Sequence, residues 1–158
     1  MLRDLKRSQQ AQRRGEAVSN WRLYESPIGT VPKDVVMMFA GIPTPQIAAS
    51  PRPYLTDGEL GALSGVLRFI DRHGASGLLG VASIDGEVTP SIEKVTSAKG
   101  PLFELRIPSG QHNPRFSFVI CRGVVVFLAA FAKKTQKLRR IDVARATDRF
   151  QTMKGDCE

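Results

Sequence analysis

Val124–Ala132 reads VVVFLAAFA, nine residues in a row without a charge or a strongly polar group. A backbone this apolar must be buried on both sides, and it is far too short for a membrane-crossing helix, which takes roughly 20 residues. Its length is that of a buried strand. Arg122-Gly123 just before it has the composition of a tight turn, and Arg115–Cys121 (RFSFVIC) before that alternates, with Phe116, Phe118 and Ile120 on one side. Leu102–Ile107 (LFELRI) is a further strand, joined to this hairpin by the turn-rich loop Pro108–Pro114. The apolar run is therefore expected as the central strand of a largely antiparallel sheet.

The rest of the chain supplies helices and one more strand. Trp21–Glu25 (WRLYE) alternates large and polar residues and reads as an opening strand, and Ser26–Pro32 as a turn. Lys33–Ala40 is a short apolar helix begun by Pro32. Gly41–Asp57 holds four prolines, too many for helix or sheet, and is expected as a long surface loop. A second helix runs from Gly58 to His73, capped by Thr56 or Asp57, with Leu60, Leu63, Leu67 and Ile70 on its buried face and Gly74 as its stop. Gly77–Thr89 is Gly-rich and expected to be irregular, and a last helix spans Arg139–Met153. The fold class is α+β: one curved, antiparallel-rich sheet, two N-terminal helices and a C-terminal helix. One domain is expected over residues 20–153, after a basic arm at 1–19 and before a tail at 154–158, with loop insertions near 41–57 and 74–90.

Charge gives the first functional hint. The net charge is +8 over 158 residues, and the stretch Lys99–Arg149 alone sets eleven Lys or Arg against Glu104, Asp142 and Asp148. Such a concentration attracts a polyanion, of which phosphate backbones are the commonest, although a solvated basic face would look the same. No secretory or membrane-spanning stretch stands out, so a cytoplasmic protein is expected. Cys121 ends a strand and Cys157 lies in the tail, and both are expected to be reduced. His73 and His112 stand in no metal-ligand spacing, so neither a metal nor another cofactor is expected.

Glu93-Lys94-Val95, LFELRI, Ser109-Gly110, RFSFV and Phe131–Lys137 (FAKKTQK) occur in one order over about Ile92–Phe150. In that order they resemble the phage-derived branch of the HigB/RelE toxin superfamily. Leu138 stands where that branch commonly has Thr-Pro, and Pro114 where an aromatic usually precedes the strand arginine. The resemblance implies a HigB/RelE-like domain that cuts mRNA, usually on the ribosome, without a metal or cofactor. It also implies a HigA-like helix-turn-helix antitoxin as partner and no association with membranes.

In that chemistry the RNA's own 2′-OH attacks the neighbouring phosphorus, and the protein orients the reacting atoms and neutralises the charge that develops. By resemblance Arg115 is the clamp on the scissile phosphate, since planar guanidinium groups grip phosphate oxygens in pairs. Arg106 and Lys94 fall on further basic positions of the family's site. Arg106 can equally pair with Glu104 two residues earlier, and Lys94 can be an ordinary surface lysine. Of Lys133 and Lys134, strand neighbours facing opposite ways, only one can reach the site, and the resemblance favours Lys134. Gln136 and Lys137 are expected to contact RNA, and His112 to serve as a base near Arg115 if it is not merely solvated. Phe103 and Phe116 could stack on a base but, as strand residues, are expected in the core. The alternative function is a phage or prophage module of the same fold that binds RNA, a ribosome or a host protein without cutting. A DNA-binding protein ranks last, since no helix-turn-helix pattern is visible.

Overall fold

In the computed structural model, residues 19–47, 52–80, 83–84, 87–88, 90–95, 100–107, 111–132 and 140–157 are described. The apolar run forms strand β7 (Val124–Ala132) and pairs antiparallel with β6 (Pro114–Cys121). Between them Arg122 and Gly123 both have positive φ, 52° and 80°. That is the twist with which a two-residue turn closes a hairpin without splaying its strands. β5 (Phe103–Arg106) and β4 (Ser91–Lys94) continue the antiparallel meander, and β1 (Trp21–Leu23) lies parallel on the other side of β7. The order is β1-β7-β6-β5-β4, so β6 and not β7 is the middle strand. β7 is nevertheless an interior strand, because β1 covers its far side over Val125–Phe127. The segment expected to be irregular holds a small separate hairpin, β2 (Ser83–Ile84) and β3 (Glu87–Val88).

The helices take both faces of the sheet. α1 (Lys33–Phe39) and α2 (Asp57–Leu78) share one core with Leu105, Phe116, Phe118, Val125 and Phe127. Phe39 lies 5.4 Å from Phe116 and 5.2 Å from Phe127, ring centre to ring centre. α3 (Arg140–Met153) covers the opposite face, where Val119, Val126, Leu128 and Ala129 meet Ala146, Phe150 and Met153. Consecutive residues Leu128 and Ala129 both face α3 because β7 bulges there: Phe118 pairs with Phe127 and Ser117 with Ala129, leaving Leu128 without an opposite residue.

α2 starts as its sequence asks, with a capping box in which the Thr56 hydroxyl accepts from Glu59 N–H and Glu59 accepts from Thr56 N–H. Gly74, expected to stop the helix, takes φ 71° and breaks it, and a further turn runs on to Leu78. Only glycine adopts that backbone at no steric cost.

β1 is so short that side chains complete the sheet around it. Gln46 accepts from Leu23 N–H and donates to Leu23 C=O, both at 2.7 Å, in place of a neighbouring strand. The segment expected as a surface loop is thus partly built in, with Ile42 and Leu55 buried. Past the end of β1, the open edge of β7 is closed by an ion pair. Asp34 of α1 accepts from Ala130 N–H, Arg149 of α3 donates to Leu128 C=O, and the two side chains pair bidentately at 2.8 and 2.9 Å.

The cysteines correct the sequence reading: Cys121 and Cys157 form a disulfide, with Cα atoms 4.9 Å apart. The residues 154–157 expected as tail form a 3-10 turn after α3, which carries Cys157 back to the end of β6. Thirty-six residues of separation hid a contact that exists only once α3 docks.

Candidate functional site

Strand register assembles a charged surface from residues scattered in sequence. Successive strand residues face opposite ways, so each cross-strand row belongs to one face. On the α3 face one row runs Ser91, Arg106, Arg115, Phe131 across β4, β5, β6 and β7. The next row runs Glu93, Glu104, Ser117, Ala129. A basic row therefore lies directly beside an acidic one.

Arg106 and Arg115 are direct cross-strand partners. Two like charges so placed repel, and Glu104 offsets this from between them. Its carboxylate is buried and stands 3.4 Å from Arg115 Nη1 and 3.7 Å from Arg106 Nε. Glu93, on the edge strand, pairs with Arg106 Nη2 from the solvent side. Burial first of all, and then the neighbouring charge of Arg106, lowers the pKa of Arg115 from its usual value, with Glu104 acting against both. Arginine nonetheless stays protonated at any physiological pH. The Nε–H groups of Arg106 and Arg115 are buried and have no acceptor among the described residues.

The other expected site residues divide. Lys94 pairs with Phe103 and belongs by register to the opposite face of the sheet, where it is exposed. It is not gathered with the arginines. His112 is not solvated: its Nδ1 lies 2.6 Å from Glu59 Oε1 and its N–H donates to Glu59 Oε2, while its ring packs on Tyr54 at 4.4 Å. It fixes the start of β6 to the head of α2, so the role of a base beside Arg115 has no geometric support. Phe116 is fully buried, and Phe103 stacks on Phe118 at 5.5 Å, as strand positions suggested. Lys133, Lys134, Gln136 and Lys137 lie outside the described residues. The last residue before them, Ala132, pairs with Pro114, the neighbour of Arg115.

Glu104 and Glu93 were not singled out by sequence reasoning as members of the site. Glu104 carried a visible signal, its two-residue spacing from Arg106, whereas Glu93 joins the site only through the register of β4 on β5. Glu59 was visible too, as the fourth residue of a capping-box pattern.

Chemically, the arrangement is a pair of guanidinium groups held at strand spacing by a buried carboxylate. It is suited to two or more oxygens of one anion. No group of three or more His, Cys, Asp or Glu able to hold a metal ion exists among the described residues, and none of their helices is long and apolar enough to cross a membrane. No protein-family model matches the chain, and no curated protein matches it.

Proposed function

We propose that the protein is a metal-independent endoribonuclease of the HigB/RelE toxin type that acts on mRNA at the ribosome. The observation that carries this reading is the side-by-side placement of Arg106 and Arg115 over Glu104, next to the point where the basic segment 133–140 begins. The element order gives further support: an opening strand, two helices, an antiparallel meander and a closing helix, as the resemblance implies. In the proposed reaction the ribose 2′-OH attacks the adjacent phosphorus as the P–O5′ bond breaks, leaving a 2′,3′-cyclic phosphate and a 5′-OH. Arg115 and Arg106 hold the non-bridging oxygens and offset the charge that gathers on them. Proton movement falls to the Lys133–Lys137 segment, with Lys134 favoured, since His112 is held by Glu59. A HigA-like antitoxin and a cytoplasmic setting belong to the same proposal.

One observation favours the second reading, a binding module without cleavage. Both arginines are already engaged by carboxylates, and the Arg115 side chain is only 16% exposed. Mapping mRNA 5′ ends after adding wild type or Arg115→Ala to translating ribosomes separates the two. New 5′-OH ends with wild type alone support the nuclease. Ribosome or RNA binding with no new ends supports the module.

A further inference from the structure

The two carboxylates of the acidic row do different work. Glu104 is buried against both arginines and cannot leave without stranding Arg115, whose side chain is only 16% exposed. Glu93 sits on the edge strand, has a side chain 60% exposed, and among the described residues pairs with the outer nitrogen of Arg106, whose own side chain is 37% exposed. We infer that Glu93 is the resident counter-ion of the arginine pair, filling in the free protein the place that a phosphate oxygen of RNA takes on binding. The identity of that ligand rests on the ribonuclease reading above; the counter-ion role rests on geometry alone.

Three features carry the inference. A carboxylate presents two oxygens to a guanidinium in the same planar manner as a phosphodiester, so either can occupy Arg106. Exposed ion pairs contribute about 0–1 kcal/mol, so a ligand with several phosphates displaces this one readily. The Arg106–Arg115 unit beneath survives the exchange, because Glu104 holds it from the protein side.

The test is a four-protein cycle of wild type, Glu93→Gln, Arg106→Ala and the double variant. Each is titrated at fixed ionic strength with a short single-stranded RNA 2′-O-methylated at every ribose, which removes the attacking hydroxyl. Glu93→Gln is expected to bind about two- to fivefold more tightly than wild type, the range that loss of an exposed ion pair predicts. The same substitution in the Arg106→Ala background is expected to change nothing. An equal gain in both backgrounds would show only the long-range effect of removing a negative charge and would overturn the inference. So would wild-type affinity in Glu93→Gln. A parallel titration with inorganic phosphate separates this inference from the nuclease reading. If none of the four proteins binds the RNA while Glu93→Gln takes phosphate more tightly than wild type, the counter-ion role stands without free RNA as its ligand, and the ribonuclease reading is decided by the map of mRNA 5′ ends on translating ribosomes. If neither anion gains affinity, the inference falls whatever the cleavage assay shows.

Discussion

The two faces of the sheet solve the problem of burial in different ways. Toward α1 and α2, Phe39, Phe116, Phe118 and Phe127 interlock as one aromatic cluster, with Trp21 and Phe103 at its margin. Toward α3, apolar packing holds only part of the face, through Val119, Val126, Leu128 and Ala129, and a disulfide pins the end of the helix. Where that packing ends, the same face of the sheet carries Arg115 on β6, Arg106 and Glu104 on β5, and Glu93 on β4. An aromatic face wastes nothing on function, since every ring is committed to a neighbour. A charged row offers little stability for its cost in desolvation.

This contrast predicts a ranking of damage. Phe127 is fully buried and touches Phe39, Phe116, Phe118 and Trp21 by ring contact. Phe127→Ala is expected to destabilise by about 3–5 kcal/mol, the range for a large aromatic lost from a core. Denaturant unfolding measures this directly, and a loss under 1 kcal/mol would mean that the aromatic face is not the main core.

The α3 face is expected to lean on its covalent link instead. Closing a loop of 36 residues restricts the unfolded chain by an amount worth roughly 4 kcal/mol in the chain-entropy model, and 2–4 kcal/mol is the usual yield. Reduction with a dithiol, or Cys157→Ser, should therefore lower the melting temperature, with the Cys157→Ser protein indifferent to reductant. An unchanged melting curve would put the stability of this face in α3 packing alone. A cytoplasm reduces most disulfides, so in the proposed cytoplasmic setting this face would rest on α3 packing alone.

The third test separates structure from function at the arginine row. Glu104→Gln leaves Arg115, whose side chain is largely buried, without its charge partner. The expected cost is about 2–3 kcal/mol, below the full figure for breaking a buried pair because Arg106 keeps contact with solvent and Glu93. The double replacement Glu104→Leu with Arg115→Leu should recover that stability, since apolar pairs of similar volume replace buried ion pairs at little loss. RNA binding should not return with it. If the double variant is both stable and fully active, the charged row is not the site.

How much of this was legible beforehand follows from how far apart the determinants lie. Strands β6 and β7, the Arg122-Gly123 turn and a cap at Thr56 or Asp57 are local signals, written in neighbouring residues. The structure has the strands and the turn where the sequence put them and the cap at Thr56, whereas Gly74, read as the helix stop, only breaks a helix that runs on to Leu78. β4 was missed because Ser91–Lys94 (SIEK) is an edge strand with mostly exposed residues, too short and polar to show a period. Its register decides that Glu93 joins Arg106 while Lys94 faces away, and no spacing within the chain reports a register. The same holds for Cys121–Cys157 and for Glu59 with His112, which depend on where helices dock.

The smallest expected effect concerns the seam between the faces, where Asp34 of α1 and Arg149 of α3 meet around the open edge of β7. Burial alone would raise the Asp34 pKa, but hydrogen bonds from Arg149 and from Ala130 N–H, with the charges of Arg149 and Arg145, outweigh it and hold the pKa below the ordinary 3.8. A carboxylate whose pKa is lower in the folded than in the unfolded state adds stability that is complete above the unfolded value. That contribution is lost as the pH falls through the folded one. Stability of the wild type should thus be insensitive to this group at neutral pH and decline below about pH 4, with a slope from one group of no more than about 1.4 kcal/mol per pH unit. Asp34→Asn should be less stable than wild type at pH 7 and should lack this part of the acid decline, so that the two curves converge as the pH drops. Curves that stay parallel down to pH 2 would mean that the charge of Asp34 does not hold the two faces together, and that its hydrogen bond to Ala130 N–H, which an amide can also accept, is what closes the edge.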